Sequence, residues 1–386
     1  MARRLRRGGA IARRISALVS IAAGAIGAQE KADTTRPHPP ARIIRADSTP
    51  MGDVHSTGPI ISPIAFYNPE SAWGGGAGVV WVRLPERQYR GQRPSTIQAS
   101  AIATLTGQYT ASTQGDVWTE GNRWRYTYEL TWGHNPNKFF GIGPSTGTAS
   151  ESYTPTTARV VAGVYRQLRP HIYIGARYFF EAASVTDVAP GGPLAAGTVP
   201  GVTGWKLSQF GLTATYDTRN HYYFPTAGLL LSATGFRSDN AFGSEFDYTR
   251  FIVDLRGYHK VWMGHVVAAQ LWTDLAVGTL PFDRMPRIGG ASILRGFFGG
   301  RFRDQTALAA QVEYRTTAWH RFGADAFAGL GSVAPSLRGY QSDLFRTAGG
   351  IGIRYALTTG DRLNIRVDHG WGRAVSGTYF TVGEAF

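Results

Sequence analysis

Apolar and polar side chains alternate with a period of two from about Ile60 to the last residue, in blocks of about ten residues. Gly, Pro, Asn and Asp separate the blocks, and no stretch shows the period of an amphipathic helix. A period of two places the two kinds of side chain on opposite faces of a β-strand. The pattern therefore predicts an all-β fold of many short strands.

The block between Arg123 and Trp132 shows the alternation most clearly. One face carries aromatic and aliphatic side chains, which are Trp124, Tyr126, Tyr128, Leu130 and Trp132. The opposite face carries charged and hydroxyl side chains, which are Arg123, Arg125, Thr127, Glu129 and Thr131. Aromatic residues near strand ends are typical of membrane interfaces, and mixed charges on the other face are typical of a polar lumen. A soluble β-sheet also alternates, but these two features favour a transmembrane antiparallel β-barrel.

Turn signals divide this region into about fifteen segments. They begin near Ser71, Ser95, Gln108, Asn122, Ser152, His171, Gly204, Thr226, Glu245, Val261, Asp304, Arg321, Phe345, Arg362 and Gly377. Single-chain bacterial barrels have an even number of strands. We therefore predict sixteen strands, and either residues 60–67 or a split of an early segment supplies the missing one.

The amino-terminal residues predict a signal peptide at residues 1–28. Six arginines precede an apolar run from Ile15 to Ile26, and the small residues after it place cleavage after Ala28 or, as second choice, Ala25. About twelve apolar residues are too few to span a bilayer, which takes about 20. Removal of these six positive charges reduces the net charge of +14 to +8. We therefore expect no nucleic-acid partner.

Residues 29–59 are rich in Pro, Thr, Asp and Arg and predict a disordered or linker segment. We expect one further domain, an outer-membrane β-barrel at residues 60–386. Charged residues make up only 17% of the chain, against roughly a quarter in soluble proteins. The absence of Cys excludes a fold held together by disulfides.

The end of the sequence predicts the closing strand of the barrel. Phe380, Val382 and Phe386 share one face if the alternation continues to the last residue. The segment resembles the carboxy-terminal strand by which the assembly machinery recognises outer-membrane barrels. Glu384 interrupts the apolar face, and we expect it at the level of the lipid headgroups.

Five blocks, in order, resemble the BamA/TamA superfamily of outer-membrane assembly proteins, also called the bacterial surface antigen family. Residues 288–297 read I-G-G-A-S-I-L-R-G-F and resemble its (V/L)-R-G-(F/Y) loop. Its Y-D-x-R-N and P-T-x-G hairpin is matched by Asp217, Arg219, Asn220, Pro225 and Gly228. The other blocks are F-F-G-I-G at 139–143, E-Y-R at 313–315 and R-V-D at 366–368. The resemblance spans roughly residues 71–386.

The resemblance implies a sixteen-stranded barrel with an inward-folded loop that carries the L-R-G-F motif. The loop arginine of the family meets acidic residues on the inner wall, where a guanidinium pairs well with carboxylates. Glu313 is the matching acid here, and because Gly329 stands where the family has its second acid, we expect Asp325 to substitute. The residues of this loop-lumen lock are Arg295, Gly296, Phe297, Glu313 and Asp325.

Outside the barrel motifs, the sequence shows no catalytic or metal-binding motif. The nine His residues show no metal-ligand spacing, and no G-x-S-x-G motif is present. The glycine-rich stretches lack the strand-to-helix context of a nucleotide-binding loop. We therefore expect no catalytic residues, no metal and no cofactor.

Three functions remain open for a protein of the bacterial outer membrane. The first is assistance with the insertion or translocation of protein or lipid, by weakening the bilayer where the first and last strands meet. Family members with that role carry periplasmic POTRA domains, which this sequence does not show, so the role does not carry over directly. The second is a gated or passive pore, and the third is a barrel enzyme. The arginines expected to bias a pore toward anions are Arg123, Arg125, Arg177, Arg256, Arg315, Arg354 and Arg366.

The implied partners follow from this location. They are outer-membrane lipids and lipopolysaccharide, the barrel assembly machinery that inserts the chain itself, and a protein or lipid client.

Overall fold

Sixteen antiparallel strands form the frame of the molecule. The computed structural model describes residues 57–83, 95–221, 224–316, 321–356, 364–382 and 384–386. The strands are β1 Thr57–Asn68, β2 Ala72–Arg83, β3 Ser95–Thr104, β4 Tyr109–Trp118, β5 Trp124–His134, β6 Glu151–Arg169, β7 Ile172–Thr186, β8 Gly204–Asp217, β9 Gly228–Ser238, β10 Tyr248–Lys260, β11 Val266–Gly278, β12 Thr306–Arg315, β13 Phe322–Ala334, β14 Arg346–Ala356, β15 Asn364–Gly372 and β16 Val375–Val382.

Short pieces of regular structure lie in the connections. Three short strand pieces are Asn137–Phe139, Arg287–Ile288 and Phe302–Arg303. Single 3-10 turns in the described residues are Glu120–Asn122, Asn240–Phe242, Trp262–Gly264, Phe282–Arg284, Leu337–Gly339 and Ser342–Leu344. No helix among the described residues is both long and apolar enough to cross a membrane.

The sheet closes on itself. Each strand pairs with its neighbours in sequence, and β1 also pairs with β16. Closure lets the strands satisfy their backbone hydrogen bonds within the sheet, which hydrocarbon requires. The predicted sixteen-stranded antiparallel barrel is confirmed, and residues 60–67 belong to its first strand. The other strands begin within five residues of the positions expected from the turn signals.

The first strand begins at Thr57, slightly before the expected start of the domain at residue 60. The proposed signal peptide at 1–28 and most of the proposed linker at 29–59 lie outside the described residues.

The alternation along each strand decides which side chains face lipid. On β5, Trp124, Tyr126, Leu130 and Trp132 are exposed on the outer surface, whereas Glu129 is buried on the inner side. This is the division between an aromatic outer face and a polar inner face that the sequence predicts for this strand.

The two ends of the barrel differ in the length of their connections. The end where β1 finishes carries long connections, which include residues 135–150, 187–203, 279–305 and 335–345. The opposite end, where β1 begins and β16 finishes, carries short turns such as 119–123, 170–171 and 261–265. Bacterial barrels have short turns on the periplasmic side and longer loops outside. The ends of β1 and β16 named here therefore lie at the periplasmic mouth.

The longest connection, residues 279–305, enters the lumen and is called here the arginine loop. Its apolar side chains Ile288 and Phe297 are buried in one cluster with Trp272 of β11. Nearer the outside, its Phe282 packs edge-on against Tyr153 of β6, with ring centroids 4.9 Å apart. The apolar core of this barrel thus lies inside the lumen, between the loop and the wall.

Candidate functional site

A tight turn presents the tip of the arginine loop. Arg287–Ile288 pairs antiparallel with Phe302–Arg303 and brings the two arms of the loop together. Beyond this pair, the Gly290 N–H donates to the carbonyl of Phe297 at 2.9 Å. Gly289 and Gly290 have φ values of +108° and +101°, which glycine adopts without steric cost. The I-G-G sequence therefore builds the turn, and L-R-G-F follows at its end.

Arg295 lies at the tip between two carboxylates. Its Nη1 donates to Oδ2 of Asp368 on β15 at 2.5 Å, and its Nη2 donates to Oε2 of Glu313 on β12. All three side chains are fully buried. The guanidinium also lies over the ring of Phe327 on β13, with its carbon 3.5 Å from the ring centroid. One arginine thus joins the loop to three strands of the inner wall.

Glycines let the loop backbone lie directly against β15. Gly296 has φ +114°, and a Cβ added there would lie 2.9 Å from the carbonyl carbon of Trp371. A Cβ added at Gly370 would lie equally close to the carbonyl carbon of Arg295. The Gly296 N–H donates to the hydroxyl of Tyr379 on β16 at 3.0 Å, and that hydroxyl donates to the carbonyl of Phe297 at 3.1 Å. The tip therefore contacts the last two strands through backbone atoms.

The second acid at Arg295 is Asp368, and the expectation of Asp325 was wrong. Asp325 is buried on the same inner face of β13, but its Oδ2 lies 2.9 Å from Nε of Arg354 on β14. Gly329, at the position of the second acid in the family, lies beside Leu294 of the loop. The alternation along R-V-D at 366–368 also places Asp368 on the inner face, but it does not distinguish Asp368 from Asp325 as the partner of Arg295.

Glu313 is the centre of a larger charged cluster. Its carboxylate also accepts from Nε of Arg315 at 2.9 Å and from Arg354. Arg366 lies 2.8 Å from Asp368. Opposite charges alternate through the whole cluster, and this arrangement compensates the cost of burying each of them.

The last described residues turn into the lumen, and two expectations for them were wrong. Glu384 does not lie at the headgroup level, since its Oε2 is 3.1 Å from Nη2 of Arg354 inside the barrel. Phe386 does not share the outer face with Phe380, because β16 ends at Val382 and the Phe386 ring is buried beside Tyr258 of β10. The side chain of Val382 lies outside the described residues.

Comparison with known proteins identifies the family. Residues 97–386 match the model of the Omp85 superfamily domain. The chain belongs to the Omp85 superfamily. It is accordingly a β-barrel of the bacterial outer membrane. None of the curated proteins compared matches the sequence.

Solved structures of the same fold include a BamA and two CdiB proteins. BamA from Haemophilus ducreyi lacking POTRA domains 1–3 is 14% identical with a TM-score of 0.60, over 84% of this chain and 70% of that chain. CdiB from Acinetobacter baumannii is 12% identical with a TM-score of 0.55, over 84% of this chain and 59% of that one. CdiB from Escherichia coli is 10% identical with a TM-score of 0.54, over 92% of this chain and 69% of that chain. This Omp85 chain therefore spans less than two thirds of the length of the Acinetobacter protein. At such identities the likeness concerns the fold alone.

A second anchor holds the arginine loop near the outside of this Omp85 barrel, and the sequence analysis missed it. Nε of Arg284 donates to Oε1 of Glu181 on β7 at 2.5 Å, and the Trp205 indole donates to the same oxygen at 2.6 Å. Arg159 on β6 donates to the other oxygen of Glu181 at 2.8 Å. The only sequence signal was the charged pair Asp283 and Arg284 inside an apolar stretch.

Asp283 lies next to three arginine side chains at the same anchor. Nη1 of Arg284 donates to it at 2.8 Å, and Arg303 and Arg287 lie at 3.5 and 3.8 Å. The hydroxyl of Tyr153 also donates to it. Burial raises the pKa of Asp283, but the three guanidinium groups lower it further, so the carboxyl stays below its ordinary range.

The F-F-G-I-G block packs onto the arginine loop from the long connection 135–150. The ring of Phe139 lies edge-on to that of Phe282, with centroids 5.2 Å apart. The Gly143 N–H donates to the carbonyl of Arg303 at 2.8 Å. This block therefore covers the arginine loop at the extracellular end of the barrel.

The motif at 216–228 builds the periplasmic turn between β8 and β9. Arg219 donates to both oxygens of Asp217 at 2.9 Å. The side-chain oxygen of Asn220 accepts from the backbone N–H groups of Thr226 and Ala227 at 3.0 and 3.1 Å. Pro225 is buried in the same turn, and a Cβ added at Gly228, where φ is +106°, would lie 2.4 Å from the carbonyl oxygen of Thr218. The five motif residues therefore belong to this turn.

The first hairpin also touches the arginine loop. Oε1 of Glu70, in the turn between β1 and β2, accepts from the Gly299 N–H at 2.5 Å. Burial raises the pKa of Glu70 to about 7, although this hydrogen bond acts in the opposite direction. Glu70 therefore changes charge near neutral pH.

Proposed function

We propose that this Omp85 barrel is a non-enzymatic factor that assists the insertion or translocation of protein or lipid at the outer membrane. It acts by opening the seam between β1 and β16, where the bilayer meets an incompletely paired sheet edge. Its partners in this role are outer-membrane lipids, lipopolysaccharide and a protein or lipid client.

The short seam is the observation that carries the proposal. Among the described residues, one register pair, Tyr67 with Phe380, joins β1 to β16. On its other side, β16 pairs with β15 along its whole length, from Val375 opposite Gly372 to Val382 opposite Ile365. Backbone groups without partners are costly in hydrocarbon. A short seam therefore opens at lower cost than any fully paired strand boundary and offers an edge to an incoming strand.

The charge pairing argues against an anion-biased pore. Arg125 lies 2.8 Å from Asp116, Arg256 lies 2.5 Å from Asp254, and the arginines around Glu313 are paired as described. Arg123 lies in the exposed turn before β5 instead of on the inner wall. Arg177 lies over the ring of Phe236. The carboxylates next to the other lumenal arginines cancel much of the positive field that an anion filter needs.

We propose no enzymatic activity for this barrel. No group of three or more His, Cys, Asp or Glu side chains in the described part of the chain is placed to hold a metal ion. We propose that the buried carboxylates and arginines of the lumen serve to hold the arginine loop.

A disulfide across the seam tests the proposal. The chain has no Cys, so Tyr67→Cys with Phe380→Cys introduces one defined pair at register partners. Purified protein is placed in vesicles, and the folding rate of a small model barrel into those vesicles is measured. We expect the reduced protein to accelerate folding and the oxidised protein to lose this effect, with recovery after reductant.

A matched control places the same bond within the fully paired boundary between β15 and β16. It is Trp371→Cys with Ser376→Cys, because these two residues are register partners. Oxidation of this control should leave the acceleration unchanged. Equal rates with and without the protein, together with a large and steady anion-selective conductance, would refute the proposed role and favour the pore.

A further inference from the structure

The end of the chain occupies a site in the lumen at the periplasmic mouth. Oε2 of Glu384 lies 3.1 Å from Arg354, 3.5 Å from Arg315 and 3.9 Å from Arg366. Its other oxygen accepts from the side-chain amide of Asn364 at 2.7 Å. One carboxylate thus faces three guanidinium groups from three strands, β12, β14 and β15.

An apolar floor receives the aromatic residue that follows. The ring of Phe386 is buried in a cluster with Tyr258, Ala268 and Ala385. The guanidinium of Arg315 lies 5.6 Å from the centroid of the Phe386 ring and 5.7 Å from that of Tyr258. Nη2 of Arg315 also donates to the carbonyl of Phe386 at 3.0 Å. The site therefore combines a cationic wall with an aromatic pocket.

The charges of the wall are not balanced without this segment. Four buried arginines, Arg295, Arg315, Arg354 and Arg366, face three wall acids, Glu313, Asp325 and Asp368. Glu384 supplies the fourth negative charge. A buried cation without a counter-charge is costly, so the site needs an anionic occupant.

The wall also has donors to spare. Nη1 of Arg315, Nη1 of Arg354 and both Nη atoms of Arg366 are buried and donate to no described atom. Buried N–H groups normally have acceptors. The site therefore offers more hydrogen bonds than its present occupant accepts.

The occupant lies outside the barrel sheet. β16 ends at Val382, and residues 384–386 contribute to no strand. The contacts described above are made by side chains and one carbonyl. They can be broken without unpairing any strand.

We propose that Arg315, Arg354, Arg366 and Tyr258 form a binding site for an acidic peptide segment with an aromatic residue two positions after the acid. Residues 384–386 are its removable intramolecular ligand. When they leave, the mouth of the lumen carries an excess positive charge and accepts a peptide of the same chemistry in trans. This inference is independent of the proposed role of the seam.

Conductance with added peptide tests the site. The double variant Glu384→Gln with Phe386→Ala is reconstituted in planar bilayers under a KCl gradient. Loss of a charge-assisted hydrogen bond changes an equilibrium by about tenfold or more, so we expect the open fraction to rise by about that factor and the reversal potential to shift toward chloride. The tetrapeptide Gly-Glu-Ala-Phe should reverse both changes, and Gly-Gln-Ala-Phe should not.

The control is Glu120→Gln, an exposed acid in the turn before β5 at the same end of the barrel. It should behave like the unmodified protein. The inference fails if the double variant matches this control, or if the two peptides act equally.

A cysteine pair keeps every charge in place and covers the case in which the double variant does not fold. Ala268→Cys with Ala385→Cys joins two residues of the apolar floor in a chain without native Cys. Oxidation should hold the conductance low, and reduction should restore brief openings that Gly-Glu-Ala-Phe shortens. Identical conductance and identical peptide response in both states would overturn the inference.

Discussion

Replacing Arg295 by Ala removes the contact that joins the arginine loop to three strands of the wall. The change deletes the hydrogen bonds to Glu313 and Asp368 and the cation–π contact with Phe327. It also leaves two buried carboxylates with fewer cations around them. We expect the tip of the loop to detach from the wall and the folded barrel to become less heat-stable.

The size of the effect follows from the burial of the group. Breaking a buried ion pair by removing one partner costs about 3–5 kcal/mol. Glu313 keeps Arg315 and Arg354, and Asp368 keeps Arg366, so we expect the lower end, about 3 kcal/mol. Melting temperatures of large domains fall by about 2–4 °C per kcal/mol. The expected drop is therefore about 6–12 °C.

The assay heats samples to a series of temperatures and separates them on a gel without boiling. The melting temperature is the one at which the fast-migrating folded band is replaced by the slower unfolded band. Conductance is a second measurement. Arg338→Ala removes an exposed arginine of the connection 335–345 and is the matched control. We expect no shift for the control and larger openings for Arg295→Ala. Unchanged melting and unchanged conductance for Arg295→Ala would refute the reasoning.

Coupling between the partners sharpens the test. Glu313→Gln should lower the melting temperature at least as much as Arg295→Ala, because Glu313 also pairs with Arg315 and Arg354. The double variant should fall short of the sum of the two single shifts, because both variants remove the contact between Arg295 and Glu313. Fully additive shifts in melting temperature would show that the two residues act separately.

Three further predictions concern other contacts of the loop. Gly296→Ala should lower the melting temperature about as much as Arg295→Ala, since its Cβ collides with the β15 backbone; an unchanged value would contradict this docking. Arg284→Ala should cost about 3 kcal/mol because it removes a buried ion pair with Glu181, whereas Arg237→Ala, which removes an exposed pair, should leave the melting temperature nearly unchanged; equal melting shifts would disprove the difference. Because the pKa of Glu70 is raised to about 7, its folded form holds the proton more tightly, and that stability is lost as pH rises through 7. The melting temperature should therefore fall as the pH rises from about 4.5, the ordinary pKa, to about 7, and Glu70→Gln should remove this part of the fall; an identical pH profile for the variant would refute it.

The contacts of the lumenal site could be predicted from the sequence only in part. The L-R-G-F motif and the inward face of β12 singled out Arg295 and Glu313, which lie in contact. Asp325 and Asp368 both face inward by the same alternation, and no spacing along the chain says which of them lies nearer the loop. Register between neighbouring strands decides it, since Asp325 pairs across from Gly352, and Gly352 in turn from Asp368.

The sequence by itself determined the barrel, its strand number and the face that side chains within the strands take. These depend on local alternation and on turn residues, which are readable one segment at a time. Only the tertiary structure decided how the arginine loop is held at its second anchor and where the chain ends. Arg284 meets Glu181 more than a hundred residues away, and Glu384 and Phe386 leave the alternation once β16 stops. Such contacts depend on closure of the sheet, because closure places distant strands around one lumen. A buried charge is then stabilised by whichever opposite charge lies nearest in space.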